Sequence, residues 1–484
     1  MLTLLVGLWK GQAVSPGVVV LGAGPAGLGA ALQLARRKIA PVTVLEQAHA
    51  VGGLAGSFLL EGIRVDYGSH RLHPACDPSI LRDLRELLGG DLLLRPRRGR
   101  IRLHGRWIRF PLSPLDLLAH LPPSFSIGAA WDLACKPFAP PPATGATFES
   151  VLRSGLGATI CRDFYFPYAR KLWGVEPAML SPELARRRIS GNSPGKLLRK
   201  VANAIPGLKA PEAGKFCYPR NGYGQISDRL AEALGEAGGD LILDARVTCI
   251  EKAGGAWRVL YQRAGEPCAI ACNHVWSTLP VGALPALMAA GPPAEVLAAA
   301  AALSFRAMIL IYLVLEQPRF TVFDAHYFPE DTVPLTRLSE PKNYSAATDP
   351  PGLTALCAEL PCDLNSSLWT KSDEELGDAV LGWLAAVDLP VVARVRRVVT
   401  RRLPRVYPVY NRGYEAQFRI VDDWLASLPG LLTFGRQGLF AHDNLHHALF
   451  MGYSAAACLH PDGAFDLARW AECRKTFESH VVAD

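Results

Sequence analysis

Residues 18–58 read VVVLGAGPAGLGAALQLARRKIAPVTVLEQAHAVGGLAGSF, and this stretch decides the fold. The apolar run from Val18 to Leu21 predicts a buried parallel strand. Gly22-Ala23-Gly24-Pro25-Ala26-Gly27 follows as a complete G-x-G-x-x-G. Leu28 to Arg36 reads as a helix, and Pro41 to Leu45 as a second strand ending at Glu46. That order is a dinucleotide-binding βαβ unit. Gly22 allows the tight turn, Gly24 lets the backbone approach a pyrophosphate, and Gly27 lets helix and strand pack closely. The helix N-terminus offers unpaired N–H groups to the phosphates. Glu46, 24 residues after Gly22, stands where a carboxylate accepts from a ribose hydroxyl.

Glu46 also opens a second pattern, E-x5-G-G-x-x-G-S, through Gly52, Gly53 and Leu54. This resembles the second glycine motif of FAD enzymes in the amine oxidase, phytoene desaturase and UDP-galactopyranose mutase superfamily. The resemblance implies FAD, not NAD, as the tightly held cofactor.

Working outward, the chain has 484 residues, half of them hydrophobic and a fifth charged, with a net charge of +7. This length suggests two interleaved domains. The basic excess fits free use of Arg, an anionic substrate or an anionic membrane surface. No basic, aromatic-interleaved stripe marks a nucleic-acid module. Eleven scattered cysteines without a C-x-x-C fit reduced thiols, not a zinc site or a disulfide framework. Met1 to Trp9 is apolar, but it lacks a basic leader and is too short to span a bilayer. The expected location is cytoplasmic, with the inner membrane face as a candidate peripheral contact.

Phe58 to Asp66 and Ile101 to Phe110 read as hairpins. Pro111 to Pro142 is apolar and Pro-rich: a buried helical subdomain, a substrate lid, a dimer surface or a membrane patch. Thr147 to Arg188 is helical in period, and Tyr223 to Leu234 is a helix that Gly235 is placed to end. Asp240 to Thr248, Trp257 to Tyr261 and Asn273 to Leu279 read as strands. Val296 to Leu315 reads as a helix end followed by the core strand Ala307 to Leu315. Leu431 to Tyr453 predicts a strand, a Gly435-Arg436 turn that aims N–H groups at the cofactor, and a helix starting at Asn444.

Six further segments resemble the UDP-galactopyranose mutase branch of that superfamily: YGSHRLHP from Tyr67, FPYARKLWGVEP from Phe166, YPRNGYGQ from Tyr218, PLTRLSEPK from Pro334, Tyr407-Pro408-Val409, and Gly435-Arg436 with Asp443-Asn444. They run in order along nearly the whole chain. Two places depart from that branch. The second glycine motif continues Leu54-Ala55-Gly56-Ser57, as on the protoporphyrinogen oxidase and phytoene desaturase side, and Pro74 stands where Thr is usual.

The resemblance implies an α/β fold in which a Rossmann-type FAD-binding domain of the glutathione-reductase kind interleaves with a substrate domain of mixed sheet and helices. The expected division is 16–110, 216–285 and 426–484 for FAD, 111–215 for a helical lid and substrate region, and 286–425 for the substrate domain. The cofactor candidates are Gly22, Gly24, Pro25, Ala26, Gly27, Glu46, Gly52, Gly53, Leu54, His70, Gly435, Arg436 and Asn444. His70, Arg170, Arg337 and Tyr407 are the catalytic candidates, with Lys171, Trp173, Glu340 and Lys342 beside them. His442, His446 and His447 could suggest a metal, but no ligand set is recognisable in the sequence and none is expected.

Three functions follow. One is an FAD-dependent oxidoreductase taking a hydride from an apolar or lipid-linked substrate. The second is a nucleotide-sugar mutase using reduced flavin. The third is a flavin-binding scaffold without turnover. The expected partner is a small molecule (a nucleotide sugar, an isoprenoid or a lipid-linked compound), with a homodimer as a further candidate and no nucleic acid.

Overall fold

The computed structural model describes residues 17–74, 76–112, 114–136, 145–188, 214–347 and 349–482; Met1 to Trp9 and the end of the Pro-rich segment lie outside them. A five-stranded parallel sheet carries the fingerprint, in the order Leu431–Thr433, His274–Ser277, Val18–Leu21, Val42–Leu45, Asp240–Ile242. Its members come from four separate parts of the chain. Val18 and Val20 face one core, while Val19 and Leu21 face another. Both faces are covered, which is why the strand is apolar at every position.

The fingerprint helix begins at Pro25, earlier than the periodicity alone indicates, and runs to Arg36. Proline suits this first turn because its missing N–H has no partner there. The helix Leu445–Cys458 packs across it. Gly29 and Gly452 permit that approach: a Cβ on Gly452 would collide with the Ala26 carbonyl.

The second layer is a seven-stranded sheet in the order Val395–Pro408, Phe305–Leu315, Thr354–Cys362, Arg337–Ser339, Ala325–Tyr327, Gly99–Leu103, Arg106–Phe110. In the long strand Phe305–Leu315, Ile309, Ile311 and Leu313 face one core, and Met308, Leu310 and Tyr312 the other. A three-stranded antiparallel sheet, Ala245–Ala253, Ala256–Arg263 and Glu266–Cys272, packs on the side of Val19 and Leu21.

Two local expectations change. The expected strand Asp240 to Thr248 is two strands, because Asp244 takes a positive φ of 56° and turns the chain from the parallel sheet into the hairpin. Gly235 does not end its helix, which runs Gln225–Glu236 and closes before Gly238 at φ 84°. Both hairpins form, as Ser57–Leu60 with Ile63–Asp66 and as Gly99–Leu103 with Arg106–Phe110. Among the described residues, no helix is long and apolar enough to cross a membrane.

Candidate active site

The dinucleotide side is shaped by the absence of side chains. Gly22 has φ 101°, and its N–H bonds the Leu45 carbonyl at 2.8 Å, holding the turn between the two central strands. A Cβ on Gly27 would collide with the Gly22 carbonyl. Gly24 differs: a Cβ there would meet no described residue within 4 Å. The open space lies at the start of the fingerprint helix, where a pyrophosphate would meet free N–H groups. Gly53 packs against Gly24, and Gly52 at φ 106° donates to the Ala23 carbonyl at 2.9 Å, so the two glycine motifs form one cradle. Leu54 lies behind it among Phe58 and Tyr67.

Glu46 accepts from Ala23 N at 2.8 Å and from Ala48 N at 2.9 Å. Each oxygen keeps a lone pair for a ribose hydroxyl. Gly435, at φ 80°, abuts Ala26, and Asn444 caps the helix Leu445–Cys458. The cradle therefore fits a dinucleotide through Gly22, Gly24, Pro25, Ala26, Gly27, Glu46, Gly52 and Gly53, with the Gly435 turn closing it.

The opposite wall is built of charged and aromatic side chains on one row of the seven-stranded sheet. Tyr327, Arg337 and Glu359 are direct neighbours across three strands, so their side chains share a face. Arg337 forks onto Glu359 with Nε to Oε1 at 2.9 Å and Nη2 to Oε2 at 2.9 Å. Glu359 also accepts from Ser69 N at 2.8 Å, which fixes the loop that presents His70. Arg71 bonds Asp324 at 3.0 Å and the Tyr327 hydroxyl at 2.9 Å.

His70 stacks on Tyr223, with ring centroids 5.1 Å apart. Tyr223 is set in turn by buried Asp66, which accepts from its N–H at 3.0 Å. Enclosure pushes the His70 imidazole down to about 3, helped by the Arg337, Arg436 and Arg71 guanidiniums. It is neutral at physiological pH, and its buried Nδ1 has no hydrogen-bond partner among the described residues.

Arg436 joins the two sides. Its Nη2 donates to the Val406 carbonyl at 2.9 Å, its Cζ lies 5.3 Å from the Tyr407 ring centre, and its buried Nε has no partner among the described residues. Arg188 lies 5.5 Å from the Trp173 ring and 6.0 Å from the Tyr407 ring. His442 faces both Trp173 and Tyr407, and burial pushes its pKa well down.

Two expected cations do other work. Arg170 is exposed and pairs with Glu176 at 2.8 Å, so it is not brought to His70 or Arg337. Lys171 is half-buried, its Nζ donating to the carbonyls of Phe328, Glu330 and Leu335 as a clamp between helix and loop. Burial lowers its pKa to about 8. Glu340 accepts from Phe320 N and Thr321 N, and Lys342 donates to the Leu353 carbonyl, so neither turns to the cleft.

Sequence reading did not single out Asp66, Arg188, Thr278 or Glu359. Thr278 seals the fingerprint turn by donating to the Leu21 carbonyl at 2.8 Å. The histidine set also divides. His442 belongs to the aromatic wall, whereas His447 and His480 approach buried Asp443 at 3.4 Å and 3.6 Å.

A glycine cradle on a parallel sheet, joined through Arg436 to a cationic, aromatic cluster at a second sheet, is the arrangement of a dinucleotide-binding α/β protein. The flavin-containing amine oxidoreductase family model matches residues 25–459, and the chain belongs to that family. Its cofactor is FAD, and it is an FAD-dependent enzyme. A crystal structure of reduced UDP-galactopyranose mutase is similar over 97% of this chain and 100% of its own, at 22% identity and TM-score 0.79. A protein described as a putative protoporphyrinogen oxidase, from Exiguobacterium sp. 255-15, is similar over 92% of this chain and 99% of its own, at 19% identity and TM-score 0.70. Cyclohexylamine oxidase from Brevibacterium oxydans IH-35A covers 95% of this chain and all of its own, at 19% identity and TM-score 0.64. Comparison with curated protein sequences finds no match.

Proposed function

We propose that this flavoenzyme acts on an anionic small molecule carrying a diphosphate, a nucleotide sugar in the first instance, and not on an amine. The observation that carries this reading is the gathering of Arg337, Arg436 and Arg71 around a neutral His70. Glu359 and Asp324 already bond Arg337 and Arg71, whereas Arg436 bonds backbone carbonyls. A protonated amine would meet uncompensated positive charge here; a diphosphate would meet fork-shaped donors suited to it.

FAD supplies a hydride acceptor when oxidised and a nucleophilic nitrogen when reduced. Arg436 and Arg188 would hold the diphosphate, with Trp173 and Tyr407 as the walls of the sugar and base pocket. Arg337 orients the His70 loop through Glu359 and adds to the positive field. His70 and His442, held neutral by burial and cations, are poor bases near neutral pH. Displacement of a diphosphate leaving group suits such a pocket better than deprotonation of a substrate. The mutase reading therefore leads.

Hydride transfer from a lipid-linked substrate is the second reading, supported by the exposed apolar helices that lie beyond Phe164 and Tyr168. The test follows UDP-galactose and UDP-galactofuranose by chromatography with oxidised and dithionite-reduced protein. Interconversion by the reduced form alone supports the mutase. Flavin bleaching by a lipid diphosphate, with UDP-sugars inert, moves the conclusion to the second reading.

A further inference from the structure

The helices Pro114–His120 and Pro123–Cys135 carry the apolar surface that the catalytic account leaves unused. Leu112, Leu115, Leu118, Ile127, Trp131 and Leu133 are all exposed, Leu115 at 79% and Trp131 at 70%. No residue of the helix Pro123–Cys135 is buried. Ile127, Ala130, Trp131 and Ala134 recur at helical spacing, so they form one outward stripe. A soluble monomer rarely shows so many large apolar side chains in one short segment.

The charges around the stripe are sorted. Between residues 104 and 136 the Lys and Arg side chains are Arg106, Arg109 and Lys136, all exposed, with Lys136 also donating to the Gly155 carbonyl at 2.8 Å. The carboxylates of that span are bonded inward, Asp116 to Arg109 N at 2.8 Å and Asp132 to Thr159 N at 2.7 Å. The outward face is thus apolar at its centre and positive at its rim.

We propose that this helical pair docks the protein on the surface of an anionic phospholipid bilayer. Leu115, Leu118, Ile127 and Trp131 enter the boundary between headgroups and acyl chains, while Arg106, Arg109 and Lys136 meet lipid phosphates. Trp on an apolar stripe with a basic rim has the composition of an interfacial helix. Neither helix is long enough to span, so the contact is peripheral. The surface packs on Phe164, whose ring lies 6.1 Å from that of Tyr168, a neighbour of Arg337. Docking therefore sets the substrate wall close to the lipid. The inference rests on the surface alone and not on the substrate reading.

The test is flotation of FAD-loaded protein with vesicles of phosphatidylglycerol and phosphatidylethanolamine in equal parts, and with pure phosphatidylcholine. The expected result is flotation with the anionic vesicles. Leu115→Asp/Trp131→Asp should lose about tenfold or more of that binding, with unchanged FAD content as the measure of folding. Arg106→Gln/Arg109→Gln should weaken binding to anionic vesicles and leave the weaker binding to phosphatidylcholine unchanged. The proposal is overturned by intact protein that floats with neither vesicle, or by Leu115→Asp/Trp131→Asp binding like the parent. It is also overturned if that variant breaks a dimer of a protein that ignores vesicles, because the face would then join two copies.

Discussion

On the dinucleotide side of the cleft, a side chain added at Gly27 or Gly52 would strike backbone, one at Gly435 would strike Ala26 of the fingerprint helix, and one at Gly22 would strike the Thr278 hydroxyl. On the facing side, Arg71, Arg337 and Arg436 are enclosed with few solvent contacts, and Arg71 and Arg337 are matched to Asp324 and Glu359. Addition is obstructed at those four glycines but not at Gly24, and on the other side removal of Arg337 leaves Glu359 without its ion-pair partner. The difference follows from what each must hold. Backbone N–H groups hold a pyrophosphate at close range, whereas on the proposed reading the substrate would be held by side chains that the rest of the fold must keep charged.

The largest effect separates the two modes of failure. Gly27→Val should abolish folding, since its Cβ meets the Gly22 carbonyl and backbone cannot yield; soluble yield and far-ultraviolet circular dichroism read this directly. Arg337→Ala should fold but lose about 3–5 kcal/mol in urea denaturation, because Glu359 is left buried and unpaired. Replacing both residues by Met should recover much of that loss. A cost below about 1 kcal/mol for the single variant would show Arg337 to be free for substrate rather than tied to the fold.

Gly24→Ala sharpens the contrast from within the cradle. Space is open at that position, so urea stability of the FAD-free protein should be unchanged. FAD affinity should fall by about tenfold or more, roughly 1.4 kcal/mol, because the new methyl occupies the place of the pyrophosphate. Parental affinity would remove Gly24 from the cofactor contact.

Protons offer a third test. His70, His326 and His446 are each pushed down to about 3 by burial, from an unfolded value of 6.5. Between those limits the unfolded chain binds the extra protons, so stability rises with pH. The contribution is complete above about pH 6.5 and is lost as pH falls toward 3. Each histidine contributes a slope of about 1.4 kcal/mol per pH unit. Urea midpoints should therefore drop steeply from pH 6.5 to 5, and His326→Phe, which is remote from the glycine cradle, should flatten the slope. An unchanged slope in that variant would remove His326 from the acid response.

The smallest effect belongs to Arg170. Its exposed pair with Glu176 predicts that Arg170→Ala changes stability by less than about 1 kcal/mol and leaves substrate affinity intact. A large affinity loss would return it to the site.

The same contrast explains what was legible in the sequence. The dinucleotide side is written locally: Gly22, Gly24, Gly27 and Glu46 fall within one βαβ unit, and their roles depend on backbone geometry that the spacing encodes. The substrate side is written across long separations. Ser69 meets Glu359 and Arg71 meets Asp324 only because the seven-stranded sheet takes strands from distant segments. No local pattern marks Glu359 as the partner of Arg337, and a helix with Arg170, Lys171 and Trp173 cannot announce which of the three turns inward. Trp173 does, because Lys171 is captured by loop carbonyls and Arg170 by Glu176. Asp244 and Gly235 mislead for a similar reason, since the positive φ that breaks a strand or ends a helix falls on Asp244 and Gly238.

The most direct measurement is a difference-spectrum titration of the FAD-loaded protein, oxidised and dithionite-reduced, with UDP, UDP-galactose and cyclohexylamine. The account predicts a saturable change in the flavin band with UDP and UDP-galactose, lost in Arg436→Gln, and none with the amine. A flavin that responds to cyclohexylamine and ignores both nucleotides would contradict it, and would make the guanidinium cluster a structural feature instead of a substrate site.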